Sequence, residues 1–346
     1  MEYFGEFYDN IPKMQMPFTI KSSDRVLGII GLTNLIWSNR RANLNLFLDK
    51  GINANIVNEL SSYLIDEYLN YVHSFNIHNV NFSVSGSDRD IINIINIINI
   101  INNSNMNYYG QIPFASKKGD FLESSMMFQH IPYMKKESGL LVPSNIEETI
   151  YTFETDKKEI SNVIDVSCGY RLITPNALEK SGIDVHKVMS GHIKAMQERE
   201  RFVIPLGEDK YILQTGNGNY GISKAFKNYT YILIDDSDNY SGYINILRTN
   251  ADNKNAEIEI GVSPSCQSKG LGTAVINKFY DELFSVGYAS VTSSVFEFNN
   301  TSIRLHEKVA ELNGIRLDSY YINGRLWDMN YYSKVNPVIE NKGIIK

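Results

Sequence analysis

Apolar and polar residues alternate with a period of two over much of this chain, and stretches of helical period interrupt the alternation. In ANLNLFLD the leucines at 44, 46 and 48 fall on every second position, the spacing that gathers a strand's apolar side chains on one face. FTIKSS and RVLGIIGLTNLIW, just upstream, also read as strands. Val57–Phe75 reads as a helix and Val80–Ser85 as a strand. YYGQIPFASKKGDFLESSMMFQHI reads as two strands around the turn signal Lys118-Gly119-Asp120. Between them lies IINIINIINIINN, Ile91 to Asn103. A three-residue period drifts around a 3.6-residue helix, so this repeat predicts a helix apolar on most sides and therefore buried. It carries no chemistry.

Residues 136–166 lose any lasting period. The Gly- and Pro-containing KKESGLLVPSN marks a boundary there. Beyond it GYRLITP predicts a strand and Val185–Arg199 a helix. TYILIDD, SGYINILRTN and AEIEIGVSP predict three strands, followed by a helix from Gly272 to Phe284. ASVTSSVFEF is a strand, Ser302–Leu312 a helix, and SYYINGRLWDMNYYSK two strands joined at Asn323-Gly324, a strong hairpin signal.

The two halves repeat this order. DRVLGIIGL aligns with DNYSGYINI, RRANLNLFLD with KNAEIEIGVSP, VNFSVSGSDRDIINII with VTSSVFEFNNTSIRLH, and SKKGDFLESSMMFQ with YINGRLWDMNYYSK. Two domains of one α/β fold account for the agreement.

Composition narrows the function. The chain has 346 residues, 43% hydrophobic and 21% charged, with a formal charge of −6. That length suggests two domains. The acidic balance, with no long Lys/Arg run, argues against nucleic-acid binding. Two cysteines, Cys168 and Cys266, stand far apart without CxxC spacing, so neither a disulfide framework nor a zinc site is expected. No stretch of about 18 apolar residues suggests a membrane span, and MEYFGEFYDN does not read as a signal peptide. A cytoplasmic protein is the expectation.

The stretch that carries chemistry is Gln267-Ser268-Lys269-Gly270-Leu271-Gly272, after the strand IEIGV and opening the helix TAVINKFYDELF. Glycines let the backbone turn tightly and approach a ligand. The first amides of a helix have no internal acceptor, and the helix dipole adds positive field. This is an anion site suited to a diphosphate. A dinucleotide fold would need Gly at 275, where Val275 stands, and a P-loop would need Gly-Lys-Ser/Thr.

A Gln-x-x-Gly-x-Gly turn after Val-x-Pro resembles motif A of the GCN5-related (GNAT) acyltransferases. Asn299-Asn300-Thr301-Ser302, leading into a helix ending in Glu307-Lys308, resembles that family's Asn-x-x-Ser segment. NGRLWDMNYYS resembles the closing hairpin of the branch acting on ribosomal-protein N-termini, polyamines and amino sugars. The resemblance spans about residues 165–335. It implies two tandem GNAT folds, each a mixed, mostly antiparallel twisted sheet flanked by helices. Residues 1–135 would be a degenerate, non-catalytic repeat, 136–165 a connector and 166–335 the catalytic domain.

It also implies an acyl-CoA co-substrate, acetyl-CoA first of all, and no metal. The strand before the loop would splay from its neighbour, and pantetheine would pair with Ile260, Val262 and Ser263. The diphosphate would sit on Gln267, Ser268, Lys269, Gly270, Leu271, Gly272 and Thr273, and Asn299 would touch the pantetheine arm. The acceptor would be a small-molecule amine or a peptide N-terminus, with no nucleic acid or membrane involved.

An amine of pKa about 10.4 is deprotonated only about one part in 2,500 at pH 7, a deficit of about 4.6 kcal/mol, so a base is useful. Glu257 and Glu259 alternate along one strand and share a face. Either can serve through water, Glu259 first, with Glu297 a third candidate. The oxyanion would find a backbone amide near Val262. The family's leaving-thiolate tyrosine, seven residues after the motif Asn, is replaced here by His306. Imidazole can also donate near neutral pH, and Ser302 is the alternative. Tyr331 and Tyr332 either line the acceptor pocket or are ordinary strand aromatics; Cys266 receives no role.

In the first half, Gly51-Ile52-Asn53-Ala54-Asn55-Ile56 stands at the loop position and Gly86-Ser87-Asp88-Arg89 at the Asn-x-x-Ser position, so the diphosphate cradle is lost. Two other readings stand beside the enzyme: an inactive acyl-CoA sensor or scaffold, and an acyltransferase that draws on a carrier protein.

Overall fold

A computed structural model describes residues 14–22, 25–49, 52, 64–85, 101, 104–118, 121–132, 148–150, 159–188, 190–192, 230–250, 254–322 and 325–340. In chain order the strands are β1 (Gln15–Ser22), β2 (Arg25–Ile36), β3 (Arg41–Leu48), β4 (Asn79–Ser85), β5 (Asn107–Lys118), β6 (Phe121–His130), β7 (Glu148–Ile150), β8 (Val163–Asp165), β9 (Arg171–Ile173), β10 (Thr230–Ile234), β11 (Tyr240–Asn250), β12 (Asn255–Val262), β13 (Ser290–Phe296), β14 (Glu311–Ile322) and β15 (Arg325–Val335). The helices are α1 (Leu64–Ser74), α2 (Pro175–Lys180), α3 (Leu271–Ser285), α4 (Asn300–His306) and α5 (Pro337–Glu340). The architecture is a mixed, mostly antiparallel sheet with helices packed on it.

The chain forms two compact units. The first comprises residues 1–118, 123–148 and 313–330; the second, residues 119–122, 149–312 and 331–346. The middle of the closing hairpin thus belongs with the N-terminal residues.

In the first unit the strand order is β1–β2–β3–β4–β6–β5–β14. β1 and β2, β2 and β3, β4 and β6, and β5 and β14 pair antiparallel, whereas β3 and β4 run parallel. The leucine alternation in β3 behaves as its period requires: Leu44, Leu46 and Leu48 are buried and the residues between them are not. Helix α1 lays Ile65, Tyr68, Leu69 and Val72 on this core, an i, i+3, i+4, i+7 stripe. At the far edge β5 and β14 meet at Gly110 and Gly314. A β-carbon on Gly110 would fall against the Asn313 carbonyl, and one on Gly314 would lie 2.4 Å from the Tyr109 carbonyl. Only glycines allow the two backbones to approach this closely.

In the second unit β13, β12, β11, β10, β9 and β8 follow one another, with β15 beside β13. Helix α3 buries Val275, Ile276, Phe279, Tyr280 and Leu283 against Ile244, Ile258 and Val291. Fully burying one such side chain is worth roughly 1.5–3 kcal/mol.

The predicted helix over Ser302–Leu312 is shorter in the structure. α4 stops at His306, whose carbonyl accepts both the Val309 and Ala310 amides. That turn buries Val309, and the chain then enters β14 at Glu311. Residues 185–188 and 190–192 are helical as expected. The Ile91–Asn103 repeat, apart from the helical and buried Ile101, lies outside the described residues, as do most of Val57–Leu64, Ile193–Arg199 and most of the connector.

Candidate functional site

The site is built where β12 leaves β13. The two strands pair in parallel at Asn255–Ser290, Ala256–Val291 and Glu257–Thr292 and no further, while β12 stays paired with β11 all the way to Val262–Gly242. From Ile258 onward, one edge of β12 is therefore open towards β13. Which backbone groups it presents follows from two bonds. The Ser263 amide donates to Ser241 on β11 at 2.9 Å, and Thr292 Oγ1 donates to the Ala256 carbonyl at 3.3 Å. Directions alternate along a strand, so the N–H and C=O groups of Ile258, Ile260 and Val262 face the open edge.

The chain then turns through the short 3₁₀ stretch Pro264–Cys266 into α3. Two residues of the turn are left-handed, Ser268 at φ +64° and Gly270 at φ +78°. Gly270 is the N-cap of α3 and makes no side-chain cap. The first helical bond is from the Ala274 amide to the Gly270 carbonyl, at 3.1 Å. The amides of Leu271, Gly272 and Thr273 precede that ladder and have no intrahelical acceptor.

The two glycines are needed for different reasons. A β-carbon on Gly270 would meet nothing within 4 Å; that glycine serves the positive φ and leaves the approach open. A β-carbon on Gly272 would lie 3.2 Å from Leu305 Cδ2 and 3.7 Å from Val262 Cγ2, so Gly272 lets the helix start close to the strand end and α4.

Two further side chains shape the turn. Gln267 Nε2 donates to the Val262 carbonyl at 2.9 Å. It occupies the carbonyl at the end of the open edge and ties the turn to the strand. Lys269 Nζ donates to the Ser265 carbonyl at 3.1 Å. Ser268, Lys269 and Gly270 are exposed, whereas Leu271 is buried in the core.

Glu257 and Glu259 project from the face of β12 opposite α3, as alternation requires. Both are half-buried. Ser294 Oγ on β13 donates to Glu257 Oε1 at 2.6 Å, which fixes that carboxylate. Glu259 stands across from Asn245 on β11, whose buried Oδ1 has no hydrogen-bond partner among the described residues. Tyr243 and His192 continue this face, their ring centroids 5.5 Å apart. His192 is buried, and burial pulls its pKa down to about 4, so it is neutral at pH 7. Glu297 follows β13, half-buried.

The Asn-x-x-Ser segment has a local cause. Asn299 is the N-cap of α4, and its Oδ1 accepts the Ser302 amide at 3.1 Å. One turn on, His306 Nδ1 lies 2.8 Å from the Ser302 carbonyl and 3.3 Å from Ser302 Oγ. A carbonyl only accepts, so Nδ1 carries the hydrogen. His306 is buried against Tyr332, ring centroids 5.4 Å apart. Burial lowers its pKa and outweighs the opposing effect of the Ser302 carbonyl. Tyr332 is itself buried, its pKa raised by burial and by the Glu307 charge, whereas Tyr331 is half-buried.

The structure thus brings the open edge, the glycine turn, the two carboxylates and the α4 cap into one region of the second unit. Sequence reasoning missed Ser294, Asn245, Tyr243, His192 and the bond from Gln267 to Val262. Ser294, Asn245 and Tyr243 had a signal, as residues in register with named strands. Among the described residues no group of three His, Cys, Asp or Glu side chains is placed to hold a metal ion, and no helix is long and apolar enough to cross a membrane.

The acetyltransferase (GNAT) family model matches residues 199–310, which take in β10 to α4 and the whole glycine turn. Solved acetyltransferases are similar to part of the chain. The spermidine N-acetyltransferase of Vibrio cholerae, in complex with CoA and spermine, is 23% identical over 31% of this chain and 65% of that one, with a TM-score of 0.30. An N-acetyltransferase from Staphylococcus aureus Mu50 is 19% identical over 31% and 66%, with a TM-score of 0.28. A chimera of the Vibrio cholerae SpeG enzyme and hSSAT is 23% identical over 32% and 69%, with a TM-score of 0.31. The chain spans about two thirds of the length of each. No curated protein matches the chain.

Proposed function

We propose that the second unit is an acyl-coenzyme A-dependent N-acyltransferase, with acetyl-CoA the first donor to try, acting on a primary amine by direct attack in a ternary complex. The observation that carries this reading is a conjunction. A strand whose backbone edge opens at Ile258 runs straight into a left-handed glycine turn at a helix start. The turn suits a diphosphate and the edge suits an amide-bearing arm; coenzyme A is a molecule that carries both.

In this reading Val262 N–H, which faces the open edge of β12, stabilises the developing oxyanion. Glu259 takes the amine's proton through water, and Glu257, held by Ser294, is the second candidate. Ser302 is the better donor to the leaving sulfur. His306 is neutral, and its one N–H is committed to the Ser302 carbonyl. A small-molecule amine or a peptide N-terminus is the acceptor.

The same reading makes the chain a tandem: residues 1–135 a worn, non-catalytic repeat, 136–165 a connector and 166–335 the catalytic domain. Shared register supports it. Arg40 and Lys254 both have positive φ, each carbonyl accepts two amides from the next strand, and each is followed by three parallel pairs.

Calorimetric titration with CoA and acetyl-CoA, plus thiol release with spermidine, an amino sugar and a peptide, tests the proposal. Binding with release supports the enzyme. Tight binding with no release across the panel makes the protein a sensor or scaffold. Weak binding of free coenzyme, with activity only from a loaded carrier protein, moves the donor to a carrier. Absence of any coenzyme binding overturns the reading.

A further inference from the structure

Tyr243 lies across from Gly261 in the β11–β12 register. The contact is made by the far end of the ring. A β-carbon on Gly261 would lie 2.3 Å from Tyr243 Cε1, 2.7 Å from Cζ and 3.0 Å from the hydroxyl oxygen. The ring therefore reaches over β12 and rests its tip where residue 261 has no side chain. Gly261 faces the same side as Glu257 and Glu259 and immediately precedes Val262, whose amide points into the open edge. Tyr243 is buried, with 4% exposed. His192 packs edge-on against it, ring planes 80° apart, and against Tyr240, centroids 5.6 Å apart. A ring braced on one side and seated on a bare backbone on the other has little room to swing aside.

The corresponding place in the first unit is built the other way round. Gly28 pairs with Leu48 and Ile29 with Phe47, just as Gly242 pairs with Val262 and Tyr243 with Gly261. There the bulk stands on the splayed strand and the smaller residue on its neighbour. Cross-strand packing of an aromatic on a strand glycine is a common stabilising device. Here it also sets a wall of fixed height beside the amide that would hold the acyl carbonyl.

We propose that Tyr243 determines acyl chain length: its ring tip over Gly261 closes the acyl pocket behind a two-carbon group. This rests on the coenzyme reading of the open edge and glycine turn. A longer acyl chain binds more tightly where there is room to bury its added methylenes, and the ring denies that room.

The test uses the full chain and needs no acceptor. Dissociation constants are measured for CoA, acetyl-CoA and hexanoyl-CoA with wild type, Tyr243→Phe, Tyr243→Leu and Tyr243→Ala. The expected result is a hexanoyl-to-acetyl ratio that falls at least tenfold in the Leu and Ala variants and less than threefold in Phe, which keeps the ring. CoA affinity should move less than twofold throughout. Leu retains apolar strand packing and serves if Ala fails to fold. If every variant binds CoA and the ratio is unchanged, Tyr243 is only a packing residue and the coenzyme site stands. If Phe relaxes the ratio as far as Leu does, ring volume is not the determinant and the assignment fails. If wild type binds no CoA, the underlying reading itself fails.

Discussion

The splayed strands β3 and β12 share a backbone and differ in what they offer a ligand. Each pairs in parallel with its neighbour at three positions and then parts from it. Ala42 and Ala256 are the buried middle residues of those pairs. A glycine on the preceding strand, Gly28 or Gly242, presses against the strand's end; its β-carbon would fall 2.4 Å from the Gly261 carbonyl in one case and against the Phe47 carbonyl in the other. On the face away from the helix, β12 carries Glu257 and Glu259. β3 carries Asn43 and Asn45, and Asn45 Nδ2 is bonded to Thr33 Oγ1 at 2.7 Å. The backbone device is common to both, but among the described residues only β12 carries carboxylates on that face and runs into an open, left-handed glycine turn. Shape alone is therefore not function; the difference lies in a handful of side chains.

The largest effects should come from the turn. Gly270→Val forces a β-branched residue into φ +78°, a conformation costly for any residue with a β-carbon and worst for a branched one. It should weaken CoA binding at least 100-fold by calorimetry. Gly270→Asn tolerates that φ and projects into open space, so it should lose less than tenfold. Gly272→Glu pushes a side chain into Leu305 and should behave like Val at 270. Wild-type affinity in Gly270→Val would break the contrast between the two units.

The carboxylates come next. Glu259→Gln should lower kcat by about 10²-fold or more with little change in CoA affinity, the usual worth of a general base. Glu257→Gln should cost less if it only supports Glu259; a larger loss at Glu257 would exchange their roles. The matching change Asn45→Ala in the first unit should leave kcat within threefold. If it does not, the first unit has a part in the chemistry.

Much of this was legible in the residues. The strands in RRANLNLFLD and AEIEIGVSP were legible, because period-two patterning with one core face admits no slip. The glycine turn was legible because a left-handed residue at a helix start has few alternatives to glycine. The point where β12 leaves β13 was not, since it depends on pairing between segments far apart in sequence. Nor was the bond from Gln267 to Val262, a contact between two unremarkable residue types. The end of α4 was missed because the apolar pattern continues through Val309 to Leu312, while the backbone turns on the His306 carbonyl.

Acid should destabilise both units through buried histidines, the first through a pair and the second through His192. In the first, His73 Nε2 and His130 Nδ1 lie 2.8 Å apart, and His73 Nδ1 faces the Ile77 carbonyl at 2.6 Å. His73 thus carries its hydrogen on Nδ1 and accepts from His130. Burial, and then the charge of His73, pull the His130 pKa down to about 4. His73 is lowered too, by burial first. A folded pKa below the unfolded value of about 6.5 means that the unfolded chain binds more protons between those pH values. Stability is therefore full above about pH 6.5 and falls as pH drops towards 4, by up to about 3 kcal/mol for such a group. Urea melts at pH 7, 5.5 and 4.5 should show this loss. His130→Phe should be weaker at pH 7 by about 1 kcal/mol, having lost a hydrogen bond, and flatter below it. A variant with the wild-type slope would assign the acid loss elsewhere, with His192 the next candidate.

The smallest expected effect separates two jobs of one side chain. Asn299 caps α4 through Oδ1, and the family resemblance implies that it also touches the pantetheine arm, for which its amide nitrogen would be the donor. Asn299→Asp keeps an acceptor for the Ser302 amide and adds negative charge at a helix start, where it is favourable. It removes the N–H donor. Asn299→Ala removes both and should cost about 1 kcal/mol in stability, the usual worth of an N-cap. Melting each variant beside a CoA titration therefore reads the two roles apart. The expected pattern is wild-type melting with a several-fold weaker coenzyme for Asp, and losses on both scales for Ala. If Asp binds coenzyme like wild type, Asn299 is a cap alone, and the spacing Asn-x-x-Ser reports helix geometry rather than recognition.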